Sequence, residues 1–269
     1  KDTSGDMFEL NHDFLTTKTD GKGVWERFWH HPNIHIEAPE ERNHGKVYII
    51  DGEIMLLGGM NISDEYRYSW HDFLIELRGM RFVEEYLSET MRIATDDSVR
   101  LVMNPLHHSA VREVITTLIN SAAREIILEQ AYFSDPGILD LLAKRSHEGV
   151  YIRFVLPLKT SVHNSANIVA MAALMEKGND ERLQIFRYPG MLHGKLILVD
   201  RQRAFIGSAN LITSSLDAMG EVNVLVTGRN HSIVRRVREI VRRDLLHSTP
   251  LKGPPQLKWV TRVLAYLGL

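Results

Sequence analysis

One pattern of residues occurs twice in this chain, 149 positions apart. The first copy runs His44-Gly45-Lys46, then Asp51, Gly58-Gly59 and Asn61. The second runs His193-Gly194-Lys195, then Asp200, Gly207-Ser208 and Asn210. An acid follows each histidine by 28 residues, Asp72 in the first copy and Glu221 in the second. A repeated fold alone accounts for repeated apolar positions. It does not require His, Lys, Asn and an acid to return at the same offsets. The chain is therefore expected to build two similar halves and bring their polar residues together as one site.

The text around the second copy reads as alternating strands and helices. Strands are expected over 125–133, 150–156, 183–188, 196–199, 204–206 and 221–226, where β-branched and aromatic residues concentrate. Helices are expected over 137–146, opened by Asp135-Pro136, over 164–177, closed by Gly178, and over 233–246. That alternation predicts a layered α/β fold with a largely parallel sheet. The first copy repeats the later part of the plan, with strands over 47–50, 54–57 and 73–77 and a helix over 82–93. Only 43 residues precede His44, and they hold no counterpart of the strand, helix and strand over 125–156. The first half is thus expected to be truncated at its N-terminus, or completed from elsewhere. The turn signals Asp96-Asp97-Ser98 and Asn104-Pro105 mark the join. Residues 1–98 are read as an incomplete first half, 99–247 as the second half, and 248–269 as an amphipathic tail.

Composition excludes several chemistries. The chain has no cysteine, which removes disulfides, thiolate metal sites and a cysteine nucleophile. A net charge of -2 leaves no basic field for nucleic acid, so nucleic acid is not an expected partner. No apolar run approaches the roughly 18–20 residues that span a bilayer. His30-His31 and His107-His108 are not at metal-ligand spacing with nearby acids and read as surface or loop residues. The run Arg235, Arg236, Arg238, Arg242 and Arg243 reads as a solvated helix face, with anionic lipid as an alternative contact. The tail from Leu257 reads as a short basic helix, either packed on the protein or lying on a membrane surface. Trp70 and His71 stand beside Asp72, as core residues or as cavity lining.

The repeated residue types suit a phosphodiester. On a strand, residues two apart share a face, so His44 projects with Lys46 and His193 with Lys195. Asn61 and Asn210 follow the next strand at its end. Two lysines and two asparagines offer donors to the non-bridging oxygens. Two histidines divide the chemistry. A neutral imidazole attacks phosphorus, and a protonated one donates to the leaving oxygen. Asp72 and Glu221 are placed to orient the imidazoles, each serving its own histidine or the other's. Asp51 and Asp200 sit in turns away from the histidine face and are expected to support the structure. Ser208 faces no hydroxyl counterpart, because Gly59 occupies that place in the first copy.

The elements HGKVYIID and HGKLILVD resemble the signature of the phospholipase D superfamily. RNHGKVYIIDGEI, GGMNISDEY and WHDFLIELRG in the first half are similar to bacterial cardiolipin synthases, as are YPGMLHGKLILVD and FIGSANL in the second. The resemblance implies a duplicated α/β sandwich of two pseudo-symmetric halves sharing one active site. It also implies transfer of a phosphatidyl group through a phosphohistidine. Phosphatidylglycerol or a related anionic phospholipid would be donor and acceptor, and cardiolipin and glycerol the products. It implies no metal cofactor, a membrane surface as partner, and the cytoplasmic side of a bacterial inner membrane as the location. By motif order it makes His44 the nucleophile and His193 the general acid. A hydrolytic phospholipase D and a phosphodiesterase nuclease use the same scaffold. The stretch LITSSLDAMGEVN departs from the synthase pattern and puts the choice of acceptor in question.

Overall fold

The computed structural model describes residues 30–35, 42–91, 98–104, 110–160 and 162–266. Among these, two sheets form. The smaller holds β1 (Lys46–Ile50), β2 (Ile54–Gly58) and β3 (Leu74–Arg78), in that order. The larger contains β4 (Val99–Met103), β5 (Glu125–Gln130), β6 (Tyr151–Pro157), β7 (Leu183–Tyr188), β8 (Lys195–Val199), β9 (Arg203–Gly207), β10 (Val222–Thr227) and β11 (Thr249–Pro250). Its order is β11-β7-β6-β5-β8-β9-β10-β4. The helices are α1 (Asp64–Tyr68), α2 (Met80–Leu87), α3 (Ala110–Asn120), α4 (Pro136–His147), α5 (Asn164–Lys177), α6 (Thr213–Asp217), α7 (Ser232–His247) and α8 (Trp259–Tyr266).

The larger sheet is mixed, not largely parallel. Only β5 with β6 and β6 with β7 run parallel. Each of these steps is bridged by a crossover helix, α4 or α5. The strands carrying the second motif are joined by a tight turn at Asp200 and Arg201, which have φ of 51° and 59°, so β8 and β9 must run antiparallel. The alternation of strands and helices predicted the crossovers correctly, but the short turns set the direction of the other strands.

The 149-residue offset holds in the hydrogen-bond register. Val47 pairs with Leu57, and Leu196 with Ile206. Gly58 pairs with Leu74, and Gly207 with Asn223. The short helices α1 and α6 are related by the same shift. The two motif segments also embrace each other. His44 N–H donates to Gly220 O at 2.8 Å, and His193 N–H donates to His71 O at 2.7 Å. Gly220 N–H donates to Arg42 O and His71 N–H to Met191 O, both at 2.9 Å. Adding 149 to one bond of each pair gives the other with the halves exchanged, so a pseudo-twofold axis runs through the contact.

Two apolar layers hold this arrangement. On one face of the larger sheet, Ile126, Leu128, Ile152, Phe154, Ile197 and Val199 pack under α3, α4 and α5. On the other, Leu196, Leu198, Ile206 and Val224 meet Met55, Leu57, Ile75 and Leu77 of the smaller sheet. Central strands are covered on both faces, so residues 196–199 of β8 are apolar and buried throughout, and Lys195 at its start is the buried exception. Capping sets the helix ends: the Asp135 side chain accepts from Ile138 N–H at the start of α4, with Pro136 in the first turn. The terminal helix α8 packs along α5 yet fully buries none of its residues, and Trp259 and Tyr266 are exposed.

Candidate active site

Each histidine stands just before its strand, and each lysine opens it. Lys46 Nζ donates back to His44 O at 2.8 Å, and Lys195 Nζ to His193 O at 2.7 Å. Both lysines are buried, at 5% and 1% exposure, so their charges are committed to this cavity. The glycine between each pair is sterically required. A Cβ on Gly45 would lie 2.9 Å from Val222 Cγ2, and one on Gly194 would lie 2.6 Å from Phe73 Cε2. Val222 and Phe73 are themselves 149 apart, so each motif is clamped against the other half.

The acids are exchanged between the halves. His44 Nδ1 lies 3.1 and 3.2 Å from the two carboxylate oxygens of Glu221. His193 Nδ1 lies 2.8 Å from Asp72 Oδ2. In both cases the acid pairs with Nδ1, so Nε2 is the ring nitrogen left for chemistry, and on His193 it also lies 2.8 Å from Lys195 Nζ. Asp72 is held in turn by Phe73 N–H, which donates to Oδ1 at 2.7 Å. Glu221 accepts from the hydroxyls of Ser208 and Ser215. Burial alone would raise the pKa of Glu221, but His44 and the two serine hydroxyls outweigh it and hold the group below the usual carboxylate range.

The two half-sites differ in their surroundings. The side chain of His193 is 4% exposed and that of His44 16%. Burial, reinforced by Lys195, pushes the pKa of His193 down to about 3 in spite of Asp72. Lys195 Nζ sits 2.6 and 2.8 Å from its two ring nitrogens. Tyr66, Trp70 and Tyr132 ring His193, with centroids 5.0, 5.4 and 5.9 Å away. Trp70 therefore lines the cavity, one of the two alternatives the sequence left open.

The asparagines also differ. Asn61 Nδ2 donates to Tyr66 Oη at 3.0 Å. Asn210 is 4% exposed, its N–H donates to Ser215 Oγ at 2.9 Å, and its side-chain oxygen has no hydrogen-bond partner among the described residues. Ser215 and Tyr66 were not singled out in the sequence. Each stands five residues after its asparagine, which is the signal that would have found them.

The remaining sequence candidates lie apart from this cavity. The Asp200 carboxylate accepts from the backbone N–H groups of Ala123, Arg124 and Glu125 at 2.9, 2.8 and 3.0 Å, tying the β8–β9 turn to the start of β5. Burial opposes its charged form, but these bonds hold its pKa below the usual range. Asp51 occupies the equivalent turn with φ 54° and is exposed. Arg235, Arg236, Arg242 and Arg243 of α7 are exposed and Arg238 is half-buried; His30 and His31 are exposed, and His107 and His108 lie outside the described residues. His71 turns toward Glu129 and Asp244. Burial disfavours its charged form, but the two acids outweigh that and raise its pKa to about 9.

Residues 115–245 match the family model described as "Cardiolipin synthase, PLD-like domain". Cardiolipin synthase A of Pseudomonas aeruginosa is 28% identical over 258 residues, covering 85% of this chain and 51% of that protein. Cardiolipin synthase 1 of Bacillus cereus is 26% identical, covering 81% and 49%. The chain spans about half the length of the curated relatives it matches. Among solved structures, phosphatidylserine synthase of Haemophilus influenzae superposes with a TM-score of 0.67 at 11% identity, over 84% of this chain and 68% of that one, a likeness of fold. The chain is similar to bacterial cardiolipin synthases, and residues 115–245 match the model of their phospholipase D-like domain.

Proposed function

We propose that this protein transfers a phosphatidyl group between phospholipid molecules, making cardiolipin from two phosphatidylglycerols and releasing glycerol. The observation that carries the reading is the crossed pairing of the two histidines. Each presents Nε2 to one cavity, with a buried acid from the opposite half behind Nδ1. In the first step, one Nε2 attacks phosphorus. A P–N bond forms, the P–O bond to glycerol breaks, and the other imidazole supplies the proton that glycerol leaves with. In the second step that imidazole takes the proton from the hydroxyl of a second phosphatidylglycerol. The freed oxygen attacks phosphorus, a new P–O bond replaces the P–N bond, and the first histidine is released. Lys46, Lys195, Asn61 and Asn210 hold the non-bridging oxygens as charge shifts onto them. Both lysines are buried, so their attraction is screened less than it would be in water.

Motif order assigns attack to His44. One observation favours the reverse: burial and Lys195 hold His193 neutral, as attack requires, while the Glu221 carboxylate lies behind His44 Nδ1. Mapping the phosphohistidine trapped by acid quench assigns the step. The membrane surface is the expected partner, with the exposed Trp259 and Tyr266 of α8 placed to meet it. Purified protein incubated with phosphatidylglycerol vesicles should yield cardiolipin and glycerol in equal amounts. Phosphatidic acid as the sole product would establish the hydrolytic activity in its place. Turnover of single-stranded DNA with none of phosphatidylglycerol would establish the nuclease.

A further inference from the structure

Behind the catalytic layer lies a second polar cluster that the proposed reaction does not use. His71 comes from the segment before β3, Glu129 from β5 and Asp244 from α7, so three separate elements meet there. His71 Nε2 lies 2.9 Å from Asp244 Oδ2 and 3.8 Å from Glu129 Oε2. One donor atom from each residue lies within 4.8 Å of the others. The Glu129 side chain is fully buried at 0% exposure and that of Asp244 is 1% exposed.

These groups are close but badly matched to one another. Neither carboxylate oxygen of Glu129 has a hydrogen-bond partner among the described residues, nor has Asp244 Oδ2 or His71 Nε2. The 2.9 Å approach of His71 to Asp244 does not meet hydrogen-bond geometry. A single imidazole proton could serve one carboxylate at best, and burial pushes the Glu129 carboxyl up, so ionising both acids without a cation is costly. Four converging lone-pair atoms have a simpler common partner. Zinc holds imidazole nitrogen and carboxylate oxygen at about 2.0–2.2 Å, which in a tetrahedral site puts ligand atoms about 3.4 Å apart. The observed 2.9 and 3.8 Å bracket that spacing. The surroundings also aim the ligands. The Tyr188 ring stacks on His71 with centroids 5.4 Å apart, and Arg243 Nε holds the other oxygen of Asp244 at 3.5 Å. His71 is 17% exposed, which leaves a route in from solvent.

We propose that His71, Glu129 and Asp244 form a binding site for a divalent transition-metal cation of the zinc type, which clamps the two halves together. The position gives the clamp its purpose. His71 O accepts from His193 N–H at 2.7 Å and from Gly194 N–H at 3.1 Å, and the next residue, Asp72, holds His193 Nδ1. Fixing His71 fixes the strand lead that orients one catalytic imidazole. The ion touches no reacting atom.

The test uses the chelator-stripped protein with Zn²⁺ as probe, followed by competition with a chromophoric chelator, and with Co²⁺ for its visible absorption. The expected result is one Zn²⁺ per chain, a rise in Tm on loading, and Co²⁺ bands of a nitrogen and oxygen site. Glu129→Gln and Asp244→Asn should each weaken Zn²⁺ by at least about tenfold while far-UV circular dichroism stays native. Should either fail to fold, His71→Gln provides the same arm. Absence of stoichiometric zinc binding would overturn the proposal. So would binding of equal strength in these variants, which would place the ion on other histidines.

Discussion

Asp72→Asn separates the crossed arrangement from one in which each half serves itself. The substitution keeps the size of the side chain and the oxygen that accepts from Phe73 N–H, and removes the charge 2.8 Å from His193 Nδ1. While His193 is neutral, the loss is that of one hydrogen bond to a charged group. When His193 carries a proton or a phosphorus substituent, the loss becomes that of an ion pair. Two unit charges about 4 Å apart at an effective dielectric near 20 interact by about 4 kcal/mol. At about 1.4 kcal/mol per decade, that predicts a fall in kcat of roughly three orders of magnitude. Single-turnover release of nitrophenol from a bis-nitrophenyl phosphodiester measures it, with urea unfolding as the control for stability. Glu221→Gln should produce a comparable loss through His44. The assay gains its force from phosphohistidine mapping: Asp72→Asn should change chemistry at His193, 121 positions away in sequence, and leave the chemistry of His44 in place. A kcat within a few-fold of the parent, or a defect confined to His44, would refute the crossed pairing.

Further outcomes follow from the same geometry. Gly207→Ala would bring a Cβ to 2.4 Å from Val222 O and 2.5 Å from Asn223 Cα, both backbone, so it should cost about 1–3 kcal/mol; an unchanged urea midpoint would contradict this. Asp200→Ala removes the acceptor of three backbone N–H groups, two of them open to water, and should cost about 0.5–1.5 kcal/mol, with turnover per folded molecule retained. Stability should also fall in acid. His193 has a folded pKa of about 3 against about 6.5 unfolded, so between these values the unfolded chain binds the extra proton and stability drops as pH falls. Glu221, with a lowered folded pKa, adds to the loss below about pH 4.5. In His193→Gln the part of the decline between pH 6.5 and 4.5 should shrink, and a decline equal to the parent's would place its origin elsewhere.

Some elements could be read closely from the sequence because their boundaries are set by local chemistry. The helix expected over 164–177 and the strand over 183–188 end where predicted, the helix at Gly178. Other elements depended on contacts that the chain does not announce. Turn residues flank Val99–Met103 and mark it as part of the join, yet it becomes a strand by pairing with β10. Ala110–Asn120 is a helix despite Val111, Val114, Ile115, Thr116 and Thr117, residues of modest helix propensity, because its apolar face covers the larger sheet. In the site, the repeat announced the residue types but not the partners. Asp72 and Glu221 stand 28 residues after their own histidines, and that spacing is the same whether the pairing is direct or exchanged. Only the pseudo-twofold contact of the two motif segments decides for exchange. The cluster of His71, Glu129 and Asp244 was illegible for a related reason: its members lie on three elements and share no spacing.

The pseudo-symmetry of the site is broken at two equivalent pairs of positions. Behind Glu221 stand Ser208 and Ser215; behind Asp72 the same positions hold Gly59 and Tyr66. Asp72 could not tolerate a serine at position 59, because a Cβ there would lie 2.5 Å from Asp72 Oδ1. The longer Glu221, by contrast, has two hydroxyls donating to it, and they help keep it ionised against full burial. The halves thus supply the same histidine and lysine with differently supported acids. Ser208→Gly tests this directly, since it makes position 208 match position 59. Losing a hydroxyl donor to a charged acceptor costs about 1.5–3 kcal/mol and raises the pKa of Glu221. The sign follows from the acid's role. A higher pKa means that Glu221 is neutralised at higher pH, so the acidic limb of the kcat/KM profile should move to higher pH. Asp72 has no contact with Ser208, so the part of the profile governed by His193 should stay in place. An acidic limb that does not move would mean that the serine shapes the cavity without tuning the acid, and the division of labour between the two histidines would then have to arise from burial alone.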